Sequence, residues 1–142
     1  MLSHTRQLQI EWGHCDPAGI VFNPRFFEFF DWNTALLLER ALGVNKYEVL
    51  KKYGGAGIPL VETRAKFLAP CRYGDMVEIT STVARLGRSS FDVEHRLING
   101  GALAVEGFET RVWTGRDPND PERIKAQPIP REIVARFSAG SA

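Results

Sequence analysis

The longest apolar segment of the chain covers residues 24–42 and reads PRFFEFFDWNTALLLERAL. Its apolar side chains would cover nearly the whole circumference of a helix, whereas a surface helix carries them on one stripe only. Asn23 is a good N-cap, Pro24 suits the first helical position, and Gly43 can end the helix. The pattern therefore predicts one long helix that is buried on most sides.

Strand patterns occupy most of the remaining chain. Leu8, Ile10 and Trp12 alternate with polar residues, which is the period of a half-buried strand. Four more strand-like segments follow: IPLVETRAKFLAP, DMVEITSTVARLG, SSFDVEHRLI and ALAVEGFETRVWT. The turn sequences between them are short enough to join antiparallel neighbours as hairpins. Together these segments predict an α+β fold in which a five-stranded antiparallel sheet wraps around the long helix.

Four shorter segments complete the predicted domain. Residues 45–53 and 130–139 are predicted to form short helices, the glycines at 54–57 a flexible connection, and GRDPNDPE at 115–122 a polar loop. An open sheet of this kind leaves one edge strand exposed. Pairing of that edge with a second copy of the chain would cover it.

Composition narrows the class of protein. The 142 residues suit a single domain spanning 1–142, and a net charge of +1 gives no reason to expect nucleic acid or an anionic membrane as partner. The amino terminus lacks the apolar core of a signal peptide, and no later run reaches the length of a membrane span, so a cytoplasmic location is expected. Cys15 and Cys71 lack zinc-type spacing and are expected to be reduced thiols. Neither a metal nor a cofactor is expected.

Two carboxylates interrupt the apolar pattern. Asp16 precedes the predicted helix in an Asp-Pro-Ala-Gly sequence, and Asp31 lies within the helix between Phe30 and Trp32. Burying either carboxylate without a partner would be costly. The simpler interpretation makes Asp16 a turn residue and Asp31 a solvated or salt-bridged residue, whereas the functional interpretation places both in a site.

The loop before the helix can supply chemistry. It places Asp16 near the amino terminus of the helix, where free N–H groups and the positive end of the helix dipole can stabilise an oxyanion. Pro24 has no N–H, so the backbone N–H of Asn23 is the preferred oxyanion donor. His14 and Cys15 adjoin Asp16, but adjacent residues of an extended loop point in different directions. This disfavours a metal site at the trio and a Cys15 nucleophile.

The run from Glu11 to Pro24, EWGHCDPAGIVFNP, closely resembles the amino-terminal motif of hotdog-fold acyl-CoA thioesterases, specifically the 4-hydroxybenzoyl-CoA thioesterase group. Pro59, the Phe-Leu-Ala-Pro step at 67–70 and the Gly-Asp pair at 74–75 also resemble this family. The resemblance covers most of the chain through about Trp113. It implies a sheet wrapped around a central helix, dimers whose sheets join, and active sites at the dimer interface.

The same resemblance implies roles for individual residues. Asp16 matches the family's catalytic carboxylate, and Asn23 matches the residue whose backbone N–H polarises the thioester carbonyl. Asp31 matches a carboxylate that recognises the phenolic hydroxyl of the substrate. Trp12, in the same motif, is included as a substrate-binding candidate. Asn23 replaces a tyrosine of the family and His14 an acidic residue, so the resemblance leaves the acyl preference open.

Two arginines lie at the hairpin where the family gathers basic residues for the nucleotide phosphates of CoA. They are Arg85 and Arg88, in the sequence RLGRSS. The resemblance implies that they bind CoA, with Arg88 as the first choice. Solvated surface arginines are the alternative interpretation.

The resulting prediction is an acyl-CoA thioesterase that hydrolyses an aromatic acyl-CoA, foremost 4-hydroxybenzoyl-CoA, to the free acid and CoA. The leaving thiol has a pKa of about 8.5, so the thiolate can depart with little help from an acid. Asp16 would act as a nucleophile or as a general base for water. The alternatives are a short aliphatic or another aromatic acyl group, a hotdog dehydratase with a catalytic His, and a noncatalytic acyl-CoA binding module. A homodimer or homotetramer is expected.

Overall fold

The computed structural model describes residues 1–140 as two antiparallel sheets and three α-helices. The larger sheet contains, in spatial order, β1 (Ser3–Gln9), β4 (Met76–Leu86), β5 (Ser90–Asn99), β6 (Ala102–Val112) and β3 (Leu60–Phe67). The smaller sheet contains β2 (Gly55–Gly57), β7 (Thr114–Asp117) and β8 (Asp120–Ala126). The helices are α1 (Pro24–Leu42), α2 (Lys46–Lys52) and α3 (Arg131–Ser138). Residues 141 and 142 of the predicted domain 1–142 lie outside the described residues.

The predicted five-stranded antiparallel sheet is confirmed as the larger sheet. Strand β3 forms one of its edges, because among the described strands it pairs with β6 alone. The prediction that the first strand continues to Trp12 is wrong, since β1 ends at Gln9 and residues 12–14 form one turn of 3-10 helix. The chain bends there because Nδ1 of His14 accepts the backbone N–H of Glu11 at 2.9 Å.

Helix α1 begins at Pro24, but Asn23 does not cap it with its side chain as predicted. Asn23 is itself helical, with φ −48° and ψ −42°, and its side chain makes no capping bond. A capping side chain requires an extended backbone at its own residue, so the helical conformation of Asn23 removes the cap. At the other end, Gly43 adopts the left-handed conformation, with φ 73°, and its N–H donates to the carbonyl of Glu39 at 2.7 Å.

One broad face of α1 packs into the core. Its buried residues are Phe26, Phe29, Phe30, Asn33, Thr34, Leu37, Leu38 and Ala41. Phe30 stacks on the ring of His95 from β5, with 4.6 Å between the ring centroids. Asp31 and Trp32 are exposed, so the prediction of an apolar surface all round the helix is wrong on this side. The Trp32 ring lies instead against the guanidinium of Arg6, whose Cζ is 5.3 Å from the ring centroid.

The start of α1 and the loop before it share one apolar cluster with the larger sheet. From the loop and its surroundings the cluster takes Ile10, Val21 and Cys71, and from α1 it takes Phe26 and Phe30. All of these residues are almost completely buried. The loop that carries the candidate residues is therefore anchored to the core.

The smaller sheet corrects two predictions, because the glycine connection at 54–57 contains β2 and the polar loop at 115–122 lies in the β7–β8 hairpin. Gly55 and Gly115 pair through their backbones, which requires no alternation of hydrophobic side chains. The hairpin turn is held by the carboxylate of Asp117, which accepts the N–H two residues further on at 2.9 Å.

The two predicted short helices are confirmed as α2 and α3. Asn45 caps α2 with its side chain, which accepts the N–H of Glu48 at 2.9 Å. Within residues 1–140, no helix is both long and apolar enough to cross a membrane.

Candidate active site

The loop between β1 and α1 doubles back on itself. Cys15 and Val21 form an antiparallel bridge, the N–H of Asp16 donates to the carbonyl of Ile20 at 2.9 Å, and the N–H of Phe22 donates to the carbonyl of His14 at 2.9 Å. These bonds form a short two-stranded ladder. Asp16 therefore lies on one strand of this ladder while the other strand leads directly into α1.

A second set of backbone bonds fixes this ladder to the segment before β4. Val21 donates to the carbonyl of Cys71 at 2.9 Å, and Tyr73 donates to the carbonyl of Gly19 at 3.0 Å. Gly19 turns the loop with φ 78°, a conformation that favours glycine. Gly19 thus suits the turn that returns the chain to the helix.

The carboxylate of Asp16 is half-buried and has one bonded and one free oxygen. Oδ1 accepts the N–H of Ala18 at 2.8 Å, which is the turn role that the simpler interpretation gave it. Within residues 1–140, Oδ2 has no hydrogen-bond partner. The turn role and a chemical role are therefore compatible, because they use different oxygens.

The backbone N–H of Asn23 is available at the start of α1. The next residue is a proline, the N–H of Arg25 donates to the carbonyl of Phe22 at 2.8 Å, and the N–H of Phe26 donates to the carbonyl of Asn23 at 3.1 Å. In the part of the chain that the structure describes, the N–H of Asn23 has no partner. It lies at the positive end of the helix dipole and belongs to an exposed residue, so it can bind an anionic oxygen.

An open apolar cleft adjoins this N–H. Its volume is about 210 Å³, and its lining includes Asn23, Phe26 and residues 67–71. The rings of Phe26 and Phe67 lie against each other with 5.6 Å between centroids. The cleft can accommodate an apolar group whose polar end faces the N–H of Asn23.

Asp31 forms an ion pair with a buried arginine. Arg111 of β6 donates a hydrogen bond from Nη2 to Oδ1 of Asp31. The side chain of Arg111 is 5% exposed, whereas that of Asp31 is 62% exposed. The salt-bridged interpretation of Asp31 therefore describes one of its oxygens, and a role in substrate recognition stays a prediction.

Arg111 belongs to a buried polar network that the sequence analysis did not identify. Its Nη2 lies 2.9 Å from Oε1 of Glu109, and Oε2 of Glu109 lies 3.1 Å from Nε2 of His95. Burial disfavours ionisation of Glu109, but hydrogen bonds from His95 and Arg111 outweigh it and lower the pKa of this carboxyl to about 2. Glu109 and Arg111 follow Val105 and Gly107 at every second position on the buried face of β6. Two charged residues at positions that alternation assigns to the core were the signal that could have revealed the network.

The predicted residue Trp12 lies close to the loop. Its side chain is 65% exposed, and its ring meets that of Tyr73 edge-on with 5.6 Å between centroids. Trp12, Asp16 and Asn23 are therefore all held by the same short region of the fold.

The two predicted arginines lie far from that region. Arg88 is exposed in the β4–β5 hairpin, and Arg85 is held by Asp92 through bonds of 2.7 and 3.1 Å. The loop of Asp16 contacts the beginning of β4, whereas the hairpin follows its end. Strand β4 has eleven residues, which corresponds to a length of about 35 Å. One chain thus does not bring the arginines together with Asp16.

His14 and Cys15 have local partners in the loop. Nδ1 of His14 accepts the N–H of Glu11, and its ring meets Phe29 edge-on with 4.9 Å between centroids. Sγ of Cys15 lies 3.6 Å from the carbonyl oxygen of Glu11. Over residues 1–140, no three or more His, Cys, Asp and Glu side chains come together as a metal site.

Several known proteins are similar to this chain over nearly its whole length, and three of them are described here. The chain is 31% identical over 138 residues to the 4-hydroxybenzoyl-CoA thioesterase of Pseudomonas sp. (strain CBS-3), with 93% of this chain and 95% of that protein covered. The fold is similar to a crystal structure of a 4-hydroxybenzoyl CoA thioesterase mutant complexed with 4-hydroxybenzoyl CoA, at 28% identity and a TM-score of 0.87, covering 97% of this chain and 100% of that one. It is also similar to a gentisyl-coenzyme A thioesterase, at 29% identity and a TM-score of 0.81, covering 95% of this chain and 100% of that one.

The family assignment agrees with these relatives. Residues 10–137 match the model of the thioesterase-like superfamily, so the match includes the loop of Asp16, helix α1 and strands β3 to β6 of the larger sheet. The chain therefore belongs to the thioesterase-like superfamily and is a hotdog-fold thioester hydrolase of the 4-hydroxybenzoyl-CoA thioesterase type.

Proposed function

We propose that this protein hydrolyses an aromatic acyl-CoA, foremost 4-hydroxybenzoyl-CoA, to the free acid and CoA. The observation that carries the proposal is the ladder of the loop, which joins Asp16, a carboxylate with a free oxygen, to the segment that leads into α1, whose first N–H is also free. The similar proteins add support, because two of them, at 31% and 29% identity, are named for hydroxylated aromatic acyl-CoA substrates.

The N–H of Asn23 would bind the carbonyl oxygen of the thioester. As the carbonyl carbon becomes tetrahedral, negative charge grows on that oxygen, and the N–H together with the positive end of α1 stabilises it. Such a donor requires no reorganisation during the reaction, because backbone bonds already fix the helix start. In this arrangement the oxyanion role does not require the asparagine side chain at position 23.

Oδ2 of Asp16 would act on the carbonyl carbon in one of two ways. As a nucleophile, the carboxylate forms a mixed anhydride and expels the thiolate of CoA, and water then hydrolyses the anhydride. As a general base, it takes a proton from the water that attacks the carbonyl, and the thiolate leaves from the tetrahedral intermediate. Both routes give the free acid and CoA, and neither requires an acid for the leaving group, because a thiol of pKa about 8.5 is a good leaving group.

The acyl group is proposed to be aromatic and hydroxylated. The apolar cleft beside Asn23 offers Phe26 and Phe67 as partners for a ring. Asp31 is mostly exposed and could accept a hydrogen bond from a phenolic hydroxyl. Trp12 would contribute a further exposed aromatic surface near the loop.

The active protein is proposed to be a homodimer, or a tetramer of two such dimers, located in the cytoplasm. The edge strand β3 exposes Leu60, Val61 and Phe67, and pairing with a second copy would cover both these side chains and the open edge. In this assembly the sheets curve around α1 as a central helix, and Arg88 of one chain, with Arg85 behind it, would serve the CoA phosphates of a site whose Asp16 belongs to the other chain.

A panel of acyl-CoA substrates tests the proposed function. Release of free thiol is measured with 4-hydroxybenzoyl-CoA, benzoyl-CoA, gentisyl-CoA and a short aliphatic acyl-CoA. A hydrogen bond to a charged group is worth about 1.5 to 3 kcal/mol, so kcat/KM for 4-hydroxybenzoyl-CoA should exceed that for benzoyl-CoA by about ten- to a hundredfold. A higher kcat/KM for the aliphatic substrate than for every aromatic one would contradict the proposed acyl class.

A further inference from the structure

The buried guanidinium of Arg111 lies between the core and the exposed side of α1. Its guanidinium donates to three acceptors in different directions: the carbonyl of Ile58 at 3.0 Å, the carboxylate of Glu109 at 2.9 Å, and Oδ1 of Asp31. The first two acceptors lie inside the protein, and the third lies on the exposed side of α1. The guanidinium therefore links an exposed carboxylate to fixed points of the core.

The inner side of this link is tied to α1 as well as to the sheet. Glu109 accepts a hydrogen bond from the hydroxyl of Thr34 and lies 3.1 Å from Nε2 of His95. Nδ1 of His95 lies 2.6 Å from Oγ of Ser81. Thr34 lies about one helical turn from Asp31, so the network holds the same stretch of helix that presents Asp31. Because these residues are almost completely buried, the position of the guanidinium is set by the core.

On the solvent side of this link, Asp31 uses only one of its two carboxylate oxygens. Oδ1 accepts from Arg111, whereas Oδ2 has no hydrogen-bond partner within residues 1–140. Lys46 lies close enough to Asp31, Arg111 and Glu109 to interact with their charges, and burial lowers the pKa of Lys46, with the Arg111 cation lowering it further. An aspartate anchored through one oxygen has few rotamers available, so its second oxygen is held in a defined direction.

We infer that Arg111 is a positioning residue for substrate specificity: it fixes Asp31 through Oδ1 so that Oδ2 can accept the ring hydroxyl of the acyl group. The inference rests on the proposed function, because it deepens the proposed role of Asp31. It also removes the choice between an ion pair and a recognition role for Asp31, since each role uses a different oxygen.

An arginine is required for this geometry. The guanidinium has five N–H donors in a rigid plane and can bond three acceptors in different directions at once, whereas the ammonium of a lysine is a single point on a flexible chain. Arg111→Lys keeps the positive charge beside Glu109, but it cannot hold Ile58, Glu109 and Asp31 together. This substitution therefore separates positioning from charge.

The test compares hydroxyl discrimination, which is the ratio of kcat/KM for 4-hydroxybenzoyl-CoA to that for benzoyl-CoA. It uses the wild type, Arg111→Lys, Asp31→Ala and the double variant. Arg96→Lys is the matched control, because Arg96 pairs with Glu106 at 3.7 Å on the exposed side of the sheet. The expected result is a drop of about tenfold or more in the ratio for both single variants, with no further drop in the double variant and no change in Arg96→Lys.

Every other outcome overturns the inference, but the outcomes differ in what they say about the proposed role of Asp31. A lower ratio in Asp31→Ala with an unchanged ratio in Arg111→Lys would overturn the inference while leaving the proposed role of Asp31 intact. An unchanged ratio in Asp31→Ala would overturn the proposed role of Asp31 and the inference with it. A merely structural arginine would lower kcat/KM for both substrates alike and leave the ratio unchanged, which also overturns the inference.

A melting curve accompanies each variant. If Arg111→Lys does not melt cooperatively, Glu109→Gln replaces it, because it weakens the anchor of the guanidinium without altering Arg111 itself. The same drop in the ratio is then expected, and an unchanged ratio in Glu109→Gln overturns the inference.

Discussion

One oxygen of Asp16 already serves the fold, since Oδ1 accepts the N–H of Ala18 at 2.8 Å. An asparagine keeps a carbonyl oxygen that can accept the same bond, but it can neither attack a thioester nor deprotonate water. We therefore expect Asp16→Asn to lower kcat by at least about a thousandfold while KM changes by less than about threefold. Release of free thiol from 4-hydroxybenzoyl-CoA measures both constants.

Asp117 provides the matched control for this variant. Its carboxylate also accepts a backbone N–H two residues further on, that of Asn119 at 2.9 Å, but in the β7–β8 hairpin of the smaller sheet. Asp117→Asn should leave kcat unchanged. If Asp16→Asn retained kcat within about tenfold of the wild type, Asp16 would be a turn residue only.

At the scale of single residues, the sequence could predict those residues whose roles depend on neighbours that are close along the chain. Asp16 and Asn23 flank one loop that leads into one helix, so a helix-start argument and a local motif were enough to propose them. Arg111 is different, because 80 residues separate it from Asp31 and only the pairing of β6 with its neighbours brings the two together. The alternation in β6 predicts that Arg111 faces inward but does not identify its partner.

At the scale of the elements, helix α1 can pack closely on the larger sheet because Gly107 of β6 has no side chain. A Cβ at Gly107 of β6 would lie 2.5 Å from Cε2 of Phe30, and that ring is stacked on His95 and 1% exposed, so it has little freedom to move. Gly107 has an ordinary backbone conformation, so steric overlap is the cause of any loss. We expect Gly107→Ala to lower the free energy of unfolding by about 1 to 3 kcal/mol, measured by urea denaturation.

Gly140→Ala is the control for this substitution, since, apart from its chain neighbours, none of the described residues lies within 4 Å of a Cβ at Gly140. Its free energy of unfolding should stay within about 0.5 kcal/mol of the wild type. Equal stability of Gly107→Ala and the wild type would show that α1 can move away from β6 without loss, and the close approach would then have no role in fixing the helix.

Whether the sequence predicts an element depends on the interactions that stabilise that element. Strands β4 to β6 and helix α1 bury hydrophobic side chains at the period of their own structure, so the sequence predicts them. Strands β2, β7 and β8 are rich in glycine or charged residues and pair mainly through backbone groups, which leaves no periodic signal. Asn23 shows a finer limit, because a good capping residue followed by Pro24 adopts the helical conformation itself and leaves its N–H free.

Across the whole molecule, the separation of Arg88 from Asp16 makes the assembly testable. The two residues lie beyond opposite ends of β4, about 35 Å apart along the strand, so one chain would require a substrate that spans its full length. A dimer related by a two-fold axis removes this requirement, because each site can take Asp16 from one chain and Arg88 from the other. Arg88→Ala alone should then raise KM for the acyl-CoA, since it removes a cation from the phosphates, and kcat should change little.

Hybrid dimers with two different affinity tags distinguish shared from unshared sites. In the trans hybrid, one chain carries Asp16→Asn and the other carries Arg88→Ala, and in the cis hybrid one chain carries both substitutions and the other is wild type. If the sites are shared, the trans hybrid keeps one intact site of its two and should show about half of the wild-type activity at limiting substrate, whereas the cis hybrid should show almost none. If each site takes both residues from one chain, the two results are exchanged.

The two hybrids control for each other, because both contain the same substitutions in the same number. Losses of stability or of subunit pairing therefore affect them equally. Half activity in the cis hybrid would therefore contradict the proposed interface site, and an active monomer at micromolar concentration in light scattering would contradict it independently.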